Sequence, residues 1–597
     1  MKVSDYVFSF LREKGVATVF YLPGGGCMHL LDSLGKCRDA DSINAVSLLH
    51  EQAVAVAAES YANTSGKPGC ALVTTGPGGT NAVTGTLAAY LDSSPVFFLS
   101  GQVKTADLKS NFGVRTHGSQ EADIAEIVRS ITKYSVMVTD KSRIRCELEK
   151  AWHEMMCGRR GPVWVDIPLD IQGAQIEPDG LVGFEADSVT GGADVSQIIA
   201  ALNASKRPVI IAGNGLSGCK PELYELAEYL QIPLIPTWKA MDLVPNGDPL
   251  YAGRAGGMGD RHGNLTMQNS DLLLCLGTRL DFSITGFDRT EWAAGAVKIV
   301  VEIDPAEITK LGSLPGLMPV VADVRDVVAE LIARRGEIRT ADLTEWRARI
   351  ENWKTLYPIT APDGELTTYA LVRELSVQLP EGAYVAPCSA GTTAEIFFQA
   401  FSVKRGQVVR SNHGLGSMGF EIPNAIGMCV ARGGRDVVCI AGDGGMQLNI
   451  QELAVIAGRN LPVKLFAVNN NGYASIRNMQ NNHFGRHYVG CDGDSGLFLP
   501  NLEKLAEAYG IAYVRIESIS GLSKGVRSVL AGQGAVICEV LVMGDCLVSP
   551  RTATQVLPDG TMRSSPLENQ FPFLSEDEVR GNMLFGTPTN AGPDTLD

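Results

Sequence analysis

The chain has 597 residues, 45% of them apolar and 20% charged, with 65 glycines. This is the composition of a globular protein too long for one core. A net charge of −15, from 51 basic and 66 acidic residues, excludes the electrostatic footprint of a nucleic-acid binder. The 13 cysteines include no CxxC pair, which fits thiols in a reducing cytoplasm better than a disulfide framework, and no run of about 18 apolar residues marks a membrane span.

In chain order, Met1–Gly15 reads as an amphipathic helix with Val3, Val7, Phe8 and Leu11 on one side. It lacks the apolar core of a signal peptide. Strands follow at Val19–Leu22, running into Pro23-Gly24-Gly25-Gly26, and at Ile43–Leu49, which leads to His50-Glu51 and a small-residue helix over Gln52–Ala62. Cys70–Thr75 ends in the glycine-rich Thr74–Gly85, and Pro95–Leu99 and Pro162–Ile167 add two more strands. This alternation predicts a doubly wound, largely parallel sheet. Glu51 stands in the first turn of its helix, where a carboxylate ordinarily only complements the helix dipole.

Gly180–Ser196 has the Gly/Asp-rich character of a linker. Beyond it, Pro208–Ala212 leads to Gly213-Asn214-Gly215, Ser270–Gly277 leads to Thr278-Arg279, and Val297–Asp304 is a further strand. The α/β pattern then returns, with Tyr384–Ala386 running into Cys388–Glu395. Val437–Ala441 is a buried strand that ends at Gly442-Asp443-Gly444-Gly445. Met446–Ile456 recurs with helical spacing, and Gly458 stands where a helix would stop. Pro462–Val468 is a second buried strand, ending at Asn469-Asn470. The crossover makes these two strands parallel and puts Asp443 and Asn470 at their carboxyl ends, where open α/β sheets bind ligands. A carboxylate and an amide oxygen are hard donors suited to Mg²⁺. The glycines between them let backbone approach an anion at a helix N-terminus. The bland alternative is a capped turn at each strand end. The tail from Pro550 to Leu574 reads as a surface strap or as a lid over a site.

The GDG turn followed, after a helix and a strand, by NN resembles the thiamin-diphosphate (ThDP) motif. Gly414–Gly427 (GLGSMGFEIPNAIG) and Asn449–Lys464 (NIQELAVIAGRNLPVK) resemble the acetolactate synthase (acetohydroxyacid synthase) large-subunit group. The likeness runs over nearly the whole chain. It implies an α/β fold of three domains. Two are doubly wound parallel-sheet ThDP domains, a pyrimidine-binding one at 1–175 and a diphosphate-binding one with a C-terminal tail at 365–597. They flank a Rossmann-like middle domain at 190–345.

The resemblance further implies ThDP and Mg²⁺ as cofactors, with Asp443, Asn470 and the backbone oxygen of Gly472 as metal ligands. Cofactor contacts fall at Gly391, Thr392, Gly416, Met418, Gly442, Gly444, Gly445 and Met446. Met418 matches a bulky residue wedged under the cofactor, and the carbonyl of Gly416 accepts from its amino group N4′. HEQAVAVAAESYA matches the segment whose glutamate, here Glu51, meets N1′ of the aminopyrimidine so that N4′ can take the C2 proton. Gln120 is a second catalytic candidate, and Gly25, His413 and Met479 face the substrate. The family's middle domain carries a non-redox FAD, and the partial match around Gly256–Asn264 leaves FAD open. The cofactor lies between the first domain of one chain and the last domain of another, which implies a homodimer at least, with a tetramer also consistent.

The implied reaction is decarboxylation of a 2-oxo acid, pyruvate first, with transfer of the acyl carbanion to a carbonyl acceptor. Acetolactate synthesis is the default. Three acceptor-facing positions depart from the family: Ser119 for an aromatic, Ser283 for an arginine and Met479 for a tryptophan. A serine cannot replace the two hydrogen bonds of a guanidinium to a carboxylate. These departures motivate an alternative acceptor, a keto sugar of polysaccharide biosynthesis. Simple decarboxylation or hydrolysis on the same cofactor is a third reading. A non-enzymatic binding protein is opposed by the intact Glu51, Asp443 and Asn470.

Overall fold

The computed structural model describes residues 1–186, 193–312, 314–359, 364–542, 546–556, 559 and 561–585. It divides into two compact units, one of residues 1–189, 383–394 and 408–542, the other of residues 190–382, 395–407 and 543–597. Part of the expected linker Gly180–Ser196 lies outside the described residues.

The first sheet holds β1 (Thr18–Tyr21), β2 (Asn44–Ser47), β3 (Gly69–Val73), β4 (Val96–Gln102), β5 (Tyr134–Met137) and β6 (Val163–Pro168). The second holds β7 (Pro208–Ala212), β8 (Leu234–Pro236), β9 (Leu272–Leu276), β10 (Val297–Glu302) and β11 (Leu317–Val321). The third holds β12 (Tyr384–Pro387), β13 (Val408–Val409), β14 (Val437–Gly442), β15 (Val463–Asn469), β16 (Ala512–Ile516) and β17 (Val536–Leu541). Every pairing in the three is parallel. The near-continuous apolar runs of the central strands follow from this, because both faces of a parallel sheet are covered by helices.

The first and third sheets repeat one topology. Their orders are β2-β1-β3-β4-β6-β5 and β13-β12-β14-β15-β17-β16, the same sequence of crossovers twice. Each reverses direction between its inner strands, β1 and β3 in one and β12 and β14 in the other, and again at the far edge, where β6 returns inside β5 and β17 inside β16. A crevice opens at the carboxyl side of such a switch point. The middle sheet, β11-β10-β9-β7-β8, reverses between β7 and β9. There the two glycine loops meet: a Cβ on Gly213 would lie 2.2 Å from the carbonyl oxygen of Gly277.

Helix α1 (Val3–Glu13) forms as its apolar stripe predicts, with Val3, Val7, Phe8 and Leu11 all buried. Helix α2 (Glu51–Ser65) is buried from Ala53 to Ala62. Its alanines let it lie between β3 and helix α3 (Glu421–Ala431). Glycines complete the fit, because a Cβ on Gly69 would lie 2.2 Å from the Ala58 oxygen and one on Gly427 2.4 Å from the Ala57 oxygen.

Two expectations need correction. The stretch after the GDGG turn is not one helix over Met446–Ile456. It is a 3₁₀ stretch, Gly445–Glu452, broken at Asn449 (φ −136°, ψ 32°), followed by a short α-helix, Leu453–Gly458. The Asn449 side chain donates to the Gly419 carbonyl at 2.7 Å, a bond that competes with the helix ladder. The strands β5 and β11 also lack a sequence signal, because both are edge strands of intermediate or exposed residues, and β11 carries Pro319, tolerated only at an edge.

The tail is a strap on the second unit. It forms a hairpin, Thr554–Val556 with Met562–Ser564. Leu567 then enters the core beside Trp292, and Gln570 donates to the carbonyls of Gly256, Gly257 and Gly259. Among the described residues no disulfide forms, and no helix is long and apolar enough to cross a membrane.

Candidate active site

The ladder between β14 and β15 pairs Gly442 with Val468, and the Asp443 N–H continues it to the Val468 oxygen at 3.0 Å. This register sets Asp443 level with Asn469 just past the end of β14, with Asn470 one residue further on. Asp443 is 3% exposed. Its carboxylate accepts from the N–H of Gly444 at 2.9 Å and from the N–H of Gly472 at 2.9 Å. Burial outweighs these bonds and lifts its pKa to about 6. Gly472 has φ +121°, and a Cβ there would lie 2.2 Å from the Cys491 oxygen, so only glycine brings this backbone past Asp443.

The neighbouring asparagines separate. Asn469 donates to Glu539 at 2.6 Å. The Oδ1 of Asn470 is buried without a hydrogen-bond partner among the described residues. A buried acceptor with no partner among the described residues, at the same sheet edge as a carboxylate that burial disfavours, suits a cation. Among the described residues no three His, Cys, Asp or Glu side chains converge on a metal position. A metal here would therefore take one carboxylate, one amide, backbone oxygens and the oxygens of a ligand. A cleft of about 300 Å³ opens beside Asp443, lined also by Gln447, Asn469, Asn471, Arg515 and Glu539.

The switch point supplies the rest of this edge. Gly391 (φ +79°) opens the helix after β12, followed by the buried Thr392. Gly416 (φ +67°) packs near the Ser389 oxygen, where a Cβ would lie at 3.4 Å. Met418 is 39% exposed, whereas the Met446 side chain is fully buried in the core, which leaves its backbone to face a ligand. Gly442 has open space where a Cβ would stand, and Gly445 nearly so. Gly444 lies against the Tyr473 ring, 2.5 Å from where its Cβ would be. Met479 is exposed on the helix Ala474–His483, and His413 is half-buried next to Asn412, which is tied to Asp92 at 2.8 Å.

The first sheet brings together a second group at its own switch point. Glu51 opens α2 behind the cap residue His50, whose Nδ1 accepts from the Gln52 N–H at 3.1 Å. The Glu51 carboxylate is buried and accepts from Asn81 Nδ2 at 3.0 Å. Gly76 and Gly78 line the same turn: a Cβ on Gly78 would lie 3.6 Å from Glu51, and one on Gly76 2.1 Å from the Gln120 oxygen. Gln120 is thus set at this turn with an exposed side chain and φ +62°. Glu121 holds its loop by accepting from the N–H groups of Lys109 and His117 at 2.6 and 3.1 Å. Gly25 is exposed between Gly24 and Gly26, which pack on Thr74 and Thr75.

Sequence reasoning passed over four residues. Asn81, inside the glycine-rich stretch, is the partner of Glu51. Asn449 ties the Gly414–Gly419 loop to the diphosphate-motif turn. Glu452 reaches back to the segment before Glu51. Glu421, at the start of α3, is 2% exposed, has no partner for Oε2 among the described residues, and is pushed by burial to about 7. The FEIP and QEL strings were visible, but the burial of their glutamates was not.

Glu421 makes a pH prediction. The native state holds its proton more tightly than the unfolded chain, whose glutamate titrates near 4.5. Stability from this group therefore falls as pH rises from about 4.5 to 7. Glu421→Gln is expected to gain of order 2 kcal/mol in unfolding free energy at pH 8, fading toward pH 4. Denaturant melts at both pH values check it, and a gain independent of pH would contradict it.

Comparison with known proteins fits this arrangement. Three family models match: thiamine pyrophosphate enzyme, N-terminal TPP binding domain, over residues 1–127; the central domain over 195–331; and the C-terminal TPP binding domain over 389–540. Acetolactate synthase 2, chloroplastic, of Nicotiana tabacum is 31% identical over 94% of this chain and 86% of its own length. A probable acetolactate synthase large subunit of Methanococcus aeolicus is 30% identical over 94% of both chains. An acetolactate synthase of Arthrospira platensis is 31% identical over 90% of this chain and 93% of its own. With two repeated parallel sheets presenting these motifs at their switch points, the chain belongs to the thiamine pyrophosphate enzymes, in the family of acetolactate synthase large subunits.

Proposed function

We propose that the chain decarboxylates a 2-oxo acid, pyruvate first, and transfers the acyl carbanion to a carbonyl acceptor, as an acetolactate synthase does. Bound ThDP supplies the nucleophilic C2 and the electron sink for loss of CO₂. The observation that carries the reading is that one sheet edge holds both the Asp443 carboxylate, bonded by the Gly472 N–H, and an Asn470 oxygen buried without a partner among the described residues. In this reading residues 365–597 bind the diphosphate, 1–175 the pyrimidine, and 190–345 form the central domain.

Asp443, Asn470 and the Gly472 carbonyl hold Mg²⁺, which neutralises the diphosphate. Gly391, Thr392, Gly442, Gly444, Gly445 and the Met446 backbone give the anion close access to N–H groups. Met418 is the wedge, and the Gly416 carbonyl orients the amino group N4′. Glu51 exchanges a proton at N1′. Gln120, Gly25, His413 and Met479 line the substrate side. Glu51 of one protomer serves the site built on Asp443 of its partner, so a homodimer is the smallest active unit. FAD is proposed for the β7–β9 switch point, where Gly213 and Gly277 bring two loops together at the strand ends. Absorbance of the purified protein in the flavin bands decides it.

One observation favours a keto sugar as the acceptor instead. Ser283 stands where the family's arginine would grip a carboxylate. Beside it Phe282 and Phe287 stack with centroids 5.5 Å apart, 53% and 68% exposed, with the Arg289 guanidinium 4.7 Å above Phe282. A serine at this position removes the two hydrogen bonds a guanidinium would give a carboxylate acceptor, which a keto sugar does not need. The test incubates the protein with ThDP, Mg²⁺, pyruvate and a panel of acceptors, then weighs the carbon–carbon bonded product. Acetolactate as the main product supports the first acceptor, and a two-carbon extension of a keto sugar supports the second. Absence of CO₂ release from any 2-oxo acid would remove both.

A further inference from the structure

Glu452 closes the turn that begins at the Asp443 motif, yet its side chain serves a different place. It is fully buried. Its two carboxylate oxygens accept from the backbone N–H of Leu49 at 3.1 and 3.2 Å, across 403 positions of sequence. Gln451 Nε2 also donates to it, at 3.3 Å. Leu49 and His50 are the two residues before Glu51. The Leu49 N–H precedes the first turn of α2 and has no partner in the helix ladder. Both carboxylate oxygens share this N–H, whereas a carboxamide offers one acceptor and turns a donor toward it.

Glu51 is thus held twice. Asn81 fixes its carboxylate at 3.0 Å, and Glu452 fixes the backbone that delivers it. Burial pushes the Glu452 pKa up to about 7. A contact needed only for packing would avoid that cost, because an apolar side chain of similar size fills such a space without desolvating a charge.

We propose that Glu452 is a positioning residue for Glu51, clamping the Leu49 backbone so that the Glu51 carboxylate is presented from a rigid helix start. This deepens the proposed function and rests on the reading in which Glu51 acts at the cofactor. A group that must meet one ring nitrogen gains from such a clamp, since small misplacements of a reacting group lower rates steeply.

The test uses the full-length protein with Glu452→Ala and Glu452→Gln, the second keeping side-chain volume should the first not fold. In the cofactor-free protein, amide hydrogen exchange of a peptide covering Leu49–Gln52 is expected to quicken about tenfold in Glu452→Ala, the effect of losing a bond of this class. With Mg²⁺ and ThDP, exchange of the cofactor's C2 proton is expected to slow by about ten- to a hundredfold. The Kd for ThDP is expected to stay within about threefold of wild type, because the diphosphate end is untouched. Glu452→Gln should fall between wild type and Glu452→Ala in both exchange measurements. Unchanged peptide exchange overturns the proposal, as does unchanged C2 exchange. So does a loss of rate matched by an equal loss of ThDP affinity or folded fraction, which marks a structural contact only. Glu51→Gln run in parallel separates the two readings. If it leaves C2 exchange unchanged, the role of Glu51 itself falls. If it slows exchange while both Glu452 variants do not, only the clamp falls.

Discussion

Asp443→Ala is expected to lose ThDP binding in the presence of Mg²⁺ by at least about a hundredfold, about 2.8 kcal/mol at 1.4 kcal/mol per decade. The carboxylate is the one ionisable donor of the proposed metal set, and the amide and carbonyl oxygens around it carry no charge to replace it. Asn470→Ala is expected to act with opposite signs on the two states. Without cofactor it removes a buried oxygen that has no partner among the described residues, which relieves about 1–2 kcal/mol. With Mg²⁺ and ThDP it deletes a ligand and weakens binding. Thermal melts with and without Mg²⁺ and ThDP check both variants, because a ligand that binds only the folded state raises its midpoint by mass action. Wild type should rise on addition, Asp443→Ala should not, and Asn470→Ala should start higher and rise less. Equal rises in all three would remove the metal site from Asp443 and Asn470.

Glu51→Gln is expected to lower kcat by about a hundred- to a thousandfold, the range for a positioned proton-transfer group, and to leave the fold intact. The substitution keeps the volume and an oxygen that can accept from Asn81, so α2 loses no packing. It removes only the capacity to exchange a proton. ThDP affinity should change little, since the carboxylate lies on the first sheet and the diphosphate cradle on the third. Steady-state turnover of pyruvate together with a ThDP titration measures the two separately. A near-normal kcat would show that Glu51 only complements the dipole of its helix.

The elements around these residues differ in how far the chain announces them. Helix α1 is legible because its stripe recurs at helical spacing and meets one partner face. The strand into Gly442–Gly445 is legible because a β-branched run followed by glycines has few other outcomes. The edge strands β5 and β11 are not, since half-exposed residues carry little periodic signal. The break at Asn449 is not, since local spacing favours one helix and only the carbonyl of Gly419, thirty residues away, tips the balance.

By itself the order of residues determined the parallel α/β class, the two strand ends that carry Asp443 and Asn470, and the helix start that carries Glu51. Each depends on contacts within a few residues or on the crossover rule, and so is written locally. Which asparagine is left without a partner, which glutamates are buried, that Asn81 meets Glu51, and that Glu452 holds the backbone before it were decided only by the tertiary structure. Those properties arise from desolvation and from hydrogen bonds between segments far apart in the chain, and no local pattern records which distant donor will fill a given acceptor.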